Sequence, residues 1–337
     1  MDKFDIGLHE TYKSILAEYL VTNSEHSLYK AGKFSRELIK NNMSPEDMIN
    51  LHVSVVQTLI KNLPKEVSDT NDLLLEVMVG YGLAYLEHQS LRDRQKQINS
   101  EFAVAAKMQK QLLPIEIPDP ITLDVGIKAV AAGPVSGDYY HLQEDENGYL
   151  SIAVADIIGK GIPAALCMSM IKYGLDSLPE QRLRPGALLE NLNRVIEQNI
   201  STNMFITMIY GSYDLQNHIF HYAGAGHEPG FYYQSGTNNF QDLTTKGLVL
   251  GLKRTARFQE YELKIEAGDF LVLLSDGVTE CRTEDGFITR AEVTTIIKKY
   301  LHLPAQKIVD NVYDELEKLQ DFQLQDDFTL MIIRREV

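Results

Sequence analysis

Four aspartates in the C-terminal two thirds of the chain each end or begin a strand-like apolar run, beside glycine or a second acid. Asp138 lies in Ser136-Gly137-Asp138-Tyr139-Tyr140, and Asp156 in Ala155-Asp156-Ile157-Ile158-Gly159-Lys160-Gly161. Asp276 lies in Ser275-Asp276-Gly277, and Asp326 in Asp326-Asp327-Phe328-Thr329. A carboxylate carried at the tip of an apolar strand is costly unless it is hydrated or meets a cation. Several such tips brought together make an oxygen-rich site suited to hard divalent ions such as Mg²⁺ or Mn²⁺. One aspartate beside glycine is an ordinary turn residue; four of them at strand ends point to a shared site.

Those acids need strands to carry them. Ser151–Ala155 and Phe270–Leu274 read as buried strands running into Asp156 and Asp276, and Phe328–Ile333 as a last strand led by Asp326-Asp327. Beyond residue 120, Asn147-Gly148 is a favoured hairpin turn, and a second turn falls at Asp214-Leu215-Gln216-Asn217. The runs FQEYELKI and FLVLLS bracket a third, Glu266-Ala267-Gly268-Asp269. Helices are predicted from Ile162 or Pro163 to about Leu178, from Arg184 to Gln198, and near 290–301 and 304–319. Hairpins with interspersed helices indicate an α+β layered domain over 121–337.

The first 86 residues read as helix. Two helices are expected near 8–21 and 25–40. Ser44-Pro45-Glu46-Asp47 then offers an N-cap serine, a first-turn proline and two acids at the positive helix end. A fourth helix should open at Ser68-Asp69-Thr70, and the four form a small bundle. Gly80 and Gly82 inside it mark either close packing against another helix or a weak spot. From 87 to 120 the chain turns polar and can continue as a linker helix. Leu91, Ile98, Ala105 and Leu112 fall seven apart, with Phe102 and Met108 nearby. This thin seam fits a short coiled coil at a homodimer interface, or an amphipathic helix lying on its own catalytic domain. Pro114 ends it.

Composition narrows the classes. The chain has 337 residues and a net charge of −15, which disfavours binding to a nucleic-acid backbone. No run approaches the roughly 20 apolar residues of a membrane span, and MDKFDIGLHE is not a signal peptide. The two cysteines, Cys167 and Cys281, have no metal-ligand spacing and suit a reduced cytoplasm. Gly159-Lys160-Gly161 is not a phosphate-binding loop, and Gly224-Ala225-Gly226-His227 lacks the third glycine of a dinucleotide fingerprint. That leaves a nucleotide sensor disfavoured. His227 reads equally as a polar site residue or a hydrogen-bonded structural histidine. Neither a GxSxG elbow nor a Cys–His pair offers a covalent nucleophile.

SGDYY, ADIIGKGIPAAL, AGAGHEPG, SDGVTEC and DDFTLMII, in that order, resemble the bacterial branch of the metal-dependent PPM-type serine phosphatases, the SpoIIE-like enzymes. AAKMQKQLLP resembles the helix entering that branch's catalytic domain, so the likeness covers about 98–337. The N-terminal YKAGKFSRELI and LEVMVGYGLAYLEHQ resemble the regulatory domain of the phosphatases that start the general stress response in Bacillus-type bacteria. The resemblance implies an N-terminal helical bundle, a linker helix and a PPM-type β-sandwich flanked by α-helices. It implies that Asp156 bridges two Mn²⁺ or Mg²⁺ ions, with the Ile157 carbonyl as a further ligand. Asp276 and Asp326 would complete one ion's shell and Asp138 would hold the other, directly or through water. Gly137 would let backbone approach, and Asp327, where relatives often carry asparagine, would act from behind the ligands. Two such ions, roughly 3.5–4 Å apart, lower the pKa of a shared water and align it for in-line attack on phosphorus. Animal-type relatives add an early histidine and arginine; no equivalent stands near Asp138 or Asp156, leaving solvent or the substrate protein to protonate the serine oxygen. The implied substrate is a phosphorylated anti-anti-sigma protein of the RsbV kind. The implied activator is a switch kinase of the RsbT kind, acting through the helical domain. The alternative is a catalytically silent phosphoprotein-binding scaffold.

Overall fold

The computed structural model describes residues 3–41, 43–114, 117–118, 120, 122–159, 161–177, 184–200, 204–283, 286–320 and 324–336. Lys160 and the expected helix end at Leu178 lie outside them. Two compact units emerge, Met1–Asn99 and Ser100–Val337.

In the first unit, α1 (Lys3–Thr22), α2 (Glu25–Lys40) and α3 (Pro45–Leu59) precede the start of α4 (Lys65–Lys110). Ser44 caps α3 as its sequence requires, its hydroxyl accepting the Asp47 N–H at 3.2 Å. The core is small. Leu8, Phe34 and Leu38 are buried, with Tyr12, Ile15, Met48 and Leu51 packed against them, so α1, α2 and α3 share it. Tyr12 stacks on Phe34 and hydrogen-bonds His52 Nδ1 at 2.8 Å. The fourth helix departs from expectation. It starts at Lys65, directly after Pro64, and Leu73, Val77, Tyr81, Leu83 and Leu86 along it stay exposed. The two glycines differ: a methyl at Gly82 would strike the Glu46 carboxylate, whereas one at Gly80 meets nothing.

α4 crosses residues 87–110 without a break, so the polar stretch is one helix with the segment before it. It stops at Lys110, four residues before Pro114.

The second unit is a four-layer sandwich. One sheet orders β1 (Leu123–Val130), β12 (Phe328–Arg335), β9 (Phe270–Leu274), β6 (Gly230–Gln234) and β7 (Asn239–Leu243). The other orders β2 (Asp138–Glu144), β3 (Tyr149–Ile157), β4 (Ile206–Asp214), β5 (Ile219–Ala225) and β8 (Glu260–Lys264). All pairs are antiparallel. Side-chain alternation distributes each strand between two cores. In β3, Ile152 and Val154 face the inter-sheet core with Leu271, Leu273 and Met331. Ala153, Ala155 and Ile157 face α5 (Ile162–Asp176) and α6 (Pro185–Asn199). On the far side, Val272, Leu274, Leu330 and Ile332 pack under α8 (Arg290–Lys299) and α9 (Ala305–Leu319).

Turns at Asn147-Gly148 and Asp214–Asn217 join paired strands as predicted. Glu266–Asp269 does not make a hairpin: β8 pairs with β5 in one sheet and β9 with β12 in the other. This turn carries the chain between layers, with Gly268 at φ 83° and the Asp269 carboxylate accepting the Ser235 N–H at 2.8 Å and the Glu266 N–H at 3.2 Å.

Candidate active site

Register puts the acids at one end of both sheets. Asp138 opens β2 and Asp156 lies near the end of β3, and the two are direct cross-strand partners. In the other sheet, Ser275 and Asp276 follow β9, while Asp326 and Asp327 precede β12 beside it. The short helix α7 (Asp276–Thr279) turns the chain immediately after Asp276, and its Gly277 leaves no room for a side chain. A methyl there would come within 2.0 Å of the Asp327 carbonyl oxygen, so Asp-Gly reflects close backbone approach rather than a left-handed turn.

The carboxylates divide into two kinds. Asp138 Oδ2 accepts the Ser275 hydroxyl at 2.6 Å and the Thr329 hydroxyl at 2.7 Å. Asp327 accepts the Ala132 N–H at 2.7 Å on one oxygen and the Gly137 N–H at 2.5 Å on the other. These two acids thereby tie the loops together. Asp156 and Asp276 instead feel other acids. Burial, then the charges of Asp276, Asp326, Asp327 and Glu280, push the Asp156 carboxyl up to about 7. Burial, Glu280, Asp326 and Glu228 raise Asp276, against a backbone N–H from Gly277 that lowers it. Asp138 is held well above the usual carboxylate range, chiefly by burial, although its two hydroxyl donors pull the other way.

The donor chemistry fits a divalent ion. A methyl added at Gly137 would lie 3.0 Å from the Ile157 carbonyl oxygen, 3.3 Å from Asp156 Oδ1 and 3.5 Å from Asp327 Oδ2. Three oxygens therefore converge on one concave spot that glycine keeps open, and buried like charges there are costly without a cation. Among the described residues, however, no three His, Cys, Asp or Glu side chains already stand grouped at metal-holding positions. Asp138 and Asp327 are instead turned onto protein donors. The sequence-predicted acids thus share one end of the sandwich and one electrostatic field.

Ser275 and Thr329 escaped the sequence reading as functional residues. Their hydroxyls clamp Asp138, and the Thr329 N–H donates to Ser275 Oγ at 3.0 Å. The signal available was a hydroxyl residue beside two of the acidic motifs, S-D-G and D-D-F-T. Gln109 was also missed: its buried amide donates to the Ser136 carbonyl at 2.5 Å and accepts the Ser136 N–H at 2.9 Å, two residues before Asp138. Of the seam residues, Leu91, Ile98 and Met108 are exposed and Ala105 is partly buried. Leu112 packs on the core beside α5 and α6, and Phe102 rests against Gly161. His227 resolves as structural. Its Nε2–H donates to the Leu274 carbonyl at 3.1 Å, which leaves Nδ1 to accept from the Thr207 hydroxyl at 2.8 Å. Burial pushes this ring down to about 4, so it is neutral.

A polar cavity of about 200 Å³ adjoins the acids, lined by Gly277, Glu280, Asp326, Arg282, Phe287 and Gln325, among others. Arg282 stands with its guanidinium 5.6 Å from the Phe287 ring centroid.

Residues 146–336 match the family model of stage II sporulation protein E, and residues 10–84 match the N-terminal domain of the phosphoserine phosphatase RsbU. The chain is 50% identical to phosphoserine phosphatase RsbU of Bacillus subtilis over 330 residues, covering 98% of each. Among solved structures it superposes on the SiaA PP2C domain of Pseudomonas aeruginosa with a TM-score of 0.63 at 20% identity, covering 72% of this chain and 98% of that one. RsbX in complex with magnesium matches at a TM-score of 0.51 and 15% identity, over 66% of this chain and all of that one. Those two likenesses establish the PP2C-type fold. None of the described helices is long and apolar enough to cross a membrane. With half of its residues shared along essentially the whole length of RsbU, and both family models matched in order, the chain belongs to the RsbU family of phosphatases.

Proposed function

We propose that this protein is a Mn²⁺- or Mg²⁺-dependent phosphoserine protein phosphatase whose N-terminal helices receive an activating partner. The observation that carries the reading is the convergence of Asp156 Oδ1, the Ile157 carbonyl and Asp327 Oδ2 on the space beside Gly137, within the field of Asp276 and Asp326. Asp138, Asp156, Asp276, Asp326 and the Ile157 carbonyl are the residues to hold two ions. Bound there, such ions lower the pKa of water and offset charge on phosphoryl oxygens. The chain's own groups then have distinct tasks. Asp327, Ser275 and Thr329 hold the acid loops in register from behind. Arg282, on the wall of the cavity beside Asp326, presents a cation to the anionic substrate. The magnesium bound by RsbX, on the same fold, agrees with a hard-cation site.

By kinship with RsbU, the substrate is a phosphorylated anti-anti-sigma protein like RsbV, and the activator a switch kinase like RsbT. In this reading the enzyme is a cytoplasmic homodimer that promotes the sigma-B general stress response. Residues 1–86 receive the kinase, and the segment 87–113, with Leu91, Ile98, Phe102, Ala105, Met108 and Leu112, transmits its effect. The kinase would shift the site only by binding the active conformation more tightly. Phosphate release from a phosphoserine protein with Mn²⁺, comparing wild type with Asp276→Asn, tests the core of the proposal. Turnover in the first and none in a folded Asp276→Asn is expected; equal rates would reject the site. Activation by the kinase that survives removal of residues 1–86 would reject the regulatory part.

A further inference from the structure

The chain carries 47 acids against 32 lysines and arginines, yet between Asp242 and Glu260 it holds four cations and no acid. Lys246, Lys253, Arg254 and Arg257 stand in the loop from β7 to β8, and all four are exposed. Arg257 pairs with Glu190 of α6, and Arg184 takes up Glu260 at 3.8 Å. Among the described residues, no carboxylate pairs with Lys246, Lys253 or Arg254. Leu248 and Leu252, between these cations, are 47% and 60% exposed. An exposed leucine by itself means little. Two of them interleaved with unpaired cations on one fixed loop make a surface with a definite chemistry.

The fold holds this loop in place. Asn193, fully buried on α6, donates from Nδ2 to the Lys253 carbonyl at 2.9 Å and accepts the Gly251 N–H on Oδ1 at 3.0 Å. The two arms of the loop meet at Gly247, where a methyl would lie 2.2 Å from the Gly224 carbonyl oxygen and 2.9 Å from the Phe258 ring. Leu250 exchanges two backbone hydrogen bonds with Ile206, at 2.8 and 3.1 Å, taking the place beside β4 that β5 leaves after Ala225. Ile206 is in turn the cross-strand partner of Ile157. Leu250 therefore stands two strand spacings, about 10 Å, from the Ile157 backbone. That is the sheet end where Asp138 and Asp156 pair. A loop tied down in this way loses little further entropy when a partner binds it.

We infer that Lys246, Lys253 and Arg254, with Leu248 and Leu252, form the docking surface for an acidic face of the phosphoserine substrate protein. The inference rests on the phosphatase reading given above. A chain of net charge −15 repels an acidic protein at long range. Unpaired cations beside the site reverse that potential where the phosphoserine must enter, which speeds productive encounter and fixes orientation. The leucines supply apolar contact within the charged rim. A partner seated on this loop lies beside the acids without covering them. The surface therefore acts on the protein around the phosphoserine and not on the phosphoryl group.

The readout is kcat/KM on a phosphorylated anti-anti-sigma protein divided by kcat/KM on a small phosphoester, measured with the full-length enzyme and Mn²⁺. Arg254→Glu should lower this ratio about tenfold, and the loss should shrink as salt screens the charge. Lys307→Glu, exposed on α9, changes the net charge equally and should keep the wild-type ratio. A carbodiimide cross-link, which joins an amine directly to a carboxylate, serves if Arg254→Glu does not fold. Formed between folded Asp276→Asn and the phosphoprotein, it should link Lys246 or Lys253 to an acid of the substrate. An unmoved ratio in folded Arg254→Glu, or cross-links that avoid both lysines, would overturn the docking surface alone. Capture of wild type by vesicles of anionic phospholipid, lost in Arg254→Glu while the ratio holds, would assign the loop to a membrane and overturn it as well. If wild type releases no phosphate from the phosphoprotein, the function proposed above fails and takes this inference with it.

Discussion

The inner pair of acids, Asp138 and Asp327, and the outer set, Asp156 and Asp276, lie at the same end of the same sandwich yet meet opposite surroundings. The inner pair spend their oxygens on two hydroxyls and two backbone N–H groups. The outer set face burial and one another, and other acids help to push both above the ordinary carboxylate range; burial raises Asp138 as well, but there two hydroxyl donors pull the other way. A carboxylate satisfied by protein donors stabilises a loop, because it removes the cost of orphaned buried N–H groups. A carboxylate crowded by others destabilises the protein until a cation or proton arrives. The contrast separates acids already engaged by protein donors, of which Asp138 has only Oδ2 so engaged, from those left charged for a ligand.

Asp276→Asn tests the contrast most severely. It should lower turnover on the order of 10³-fold, the scale of a lost electrostatic contact at the reacting centre. Because it removes repulsion, the metal-free protein should unfold at the same temperature as wild type or higher. Asp327→Ala should do the reverse in stability: with the Ala132 and Gly137 N–H groups orphaned, it should cost about 1–3 kcal/mol for each group left buried. Thermal unfolding in chelator compares the two directly. If Asp276→Asn destabilises as much as Asp327→Ala, the division between the two sets is wrong.

Gly277→Ala should come next. Its methyl would press on the Asp327 carbonyl at 2.0 Å, where backbone cannot yield cheaply, so a loss of about 1–3 kcal/mol and a matching fall in turnover are expected. Gly133→Ala, where nothing lies within 4 Å, is the comparison and should be near neutral in unfolding experiments.

The acids and their strands were legible because strand ends, glycines and carboxylates are neighbours along the chain. Asp138 and Asp156 announced themselves this way, and so did the helices after Gly161 and Pro304. What joins distant segments was not legible. The Glu266–Asp269 turn has hairpin composition, but composition does not say which sheet each flanking strand joins. Gln109 reads locally as one more polar helix residue, since its partner at Ser136 lies 27 positions away. The seam at Leu91, Ile98, Ala105 and Leu112 follows heptad spacing, whereas the face that packs in the second unit runs through Phe102, Gln109 and Leu112. Apolar spacing located the helix and polar contact chose its side.

Arg282 sharpens the contrast from the substrate side. A cation on the cavity wall next to Asp326 has no role in holding the inner pair, so Arg282→Ala should leave unfolding unchanged. It should raise KM about tenfold, the equivalent of roughly 1.4 kcal/mol of lost ground-state contact. Comparing a small phosphoester with a phosphoprotein distinguishes a contact to the phosphoryl group from one to the protein around it. A defect in kcat with KM intact would move Arg282 into the framework instead.

The smallest effect at neutral pH belongs to His227, which ties the β5–β6 turn to β4 through Thr207 and to the end of β9 through Leu274. Its ring, pushed by burial from 6.5 down to about 4, must stay neutral to keep both bonds. A base whose folded pKa is depressed lends stability that is fully present above 6.5 and is lost as pH falls toward 4. The shift corresponds to on the order of 3 kcal/mol across that window. His141, likewise pushed down to about 4 mainly by burial, adds a second contribution of the same sign. The raised carboxyls of Asp138, Asp156 and Asp276 contribute with the opposite sign over the same range, so the test is the difference between two proteins. As pH falls from 6.5 to 4, His227→Gln should retain more of its pH 7 stability than wild type retains. Urea unfolding at pH 7, 5.5 and 4.5 reads the difference. Equal slopes in the two proteins would mean that His227 is already charged in the fold, and that the tip of β9 which carries Ser275 and Asp276 is held by something other than a neutral imidazole.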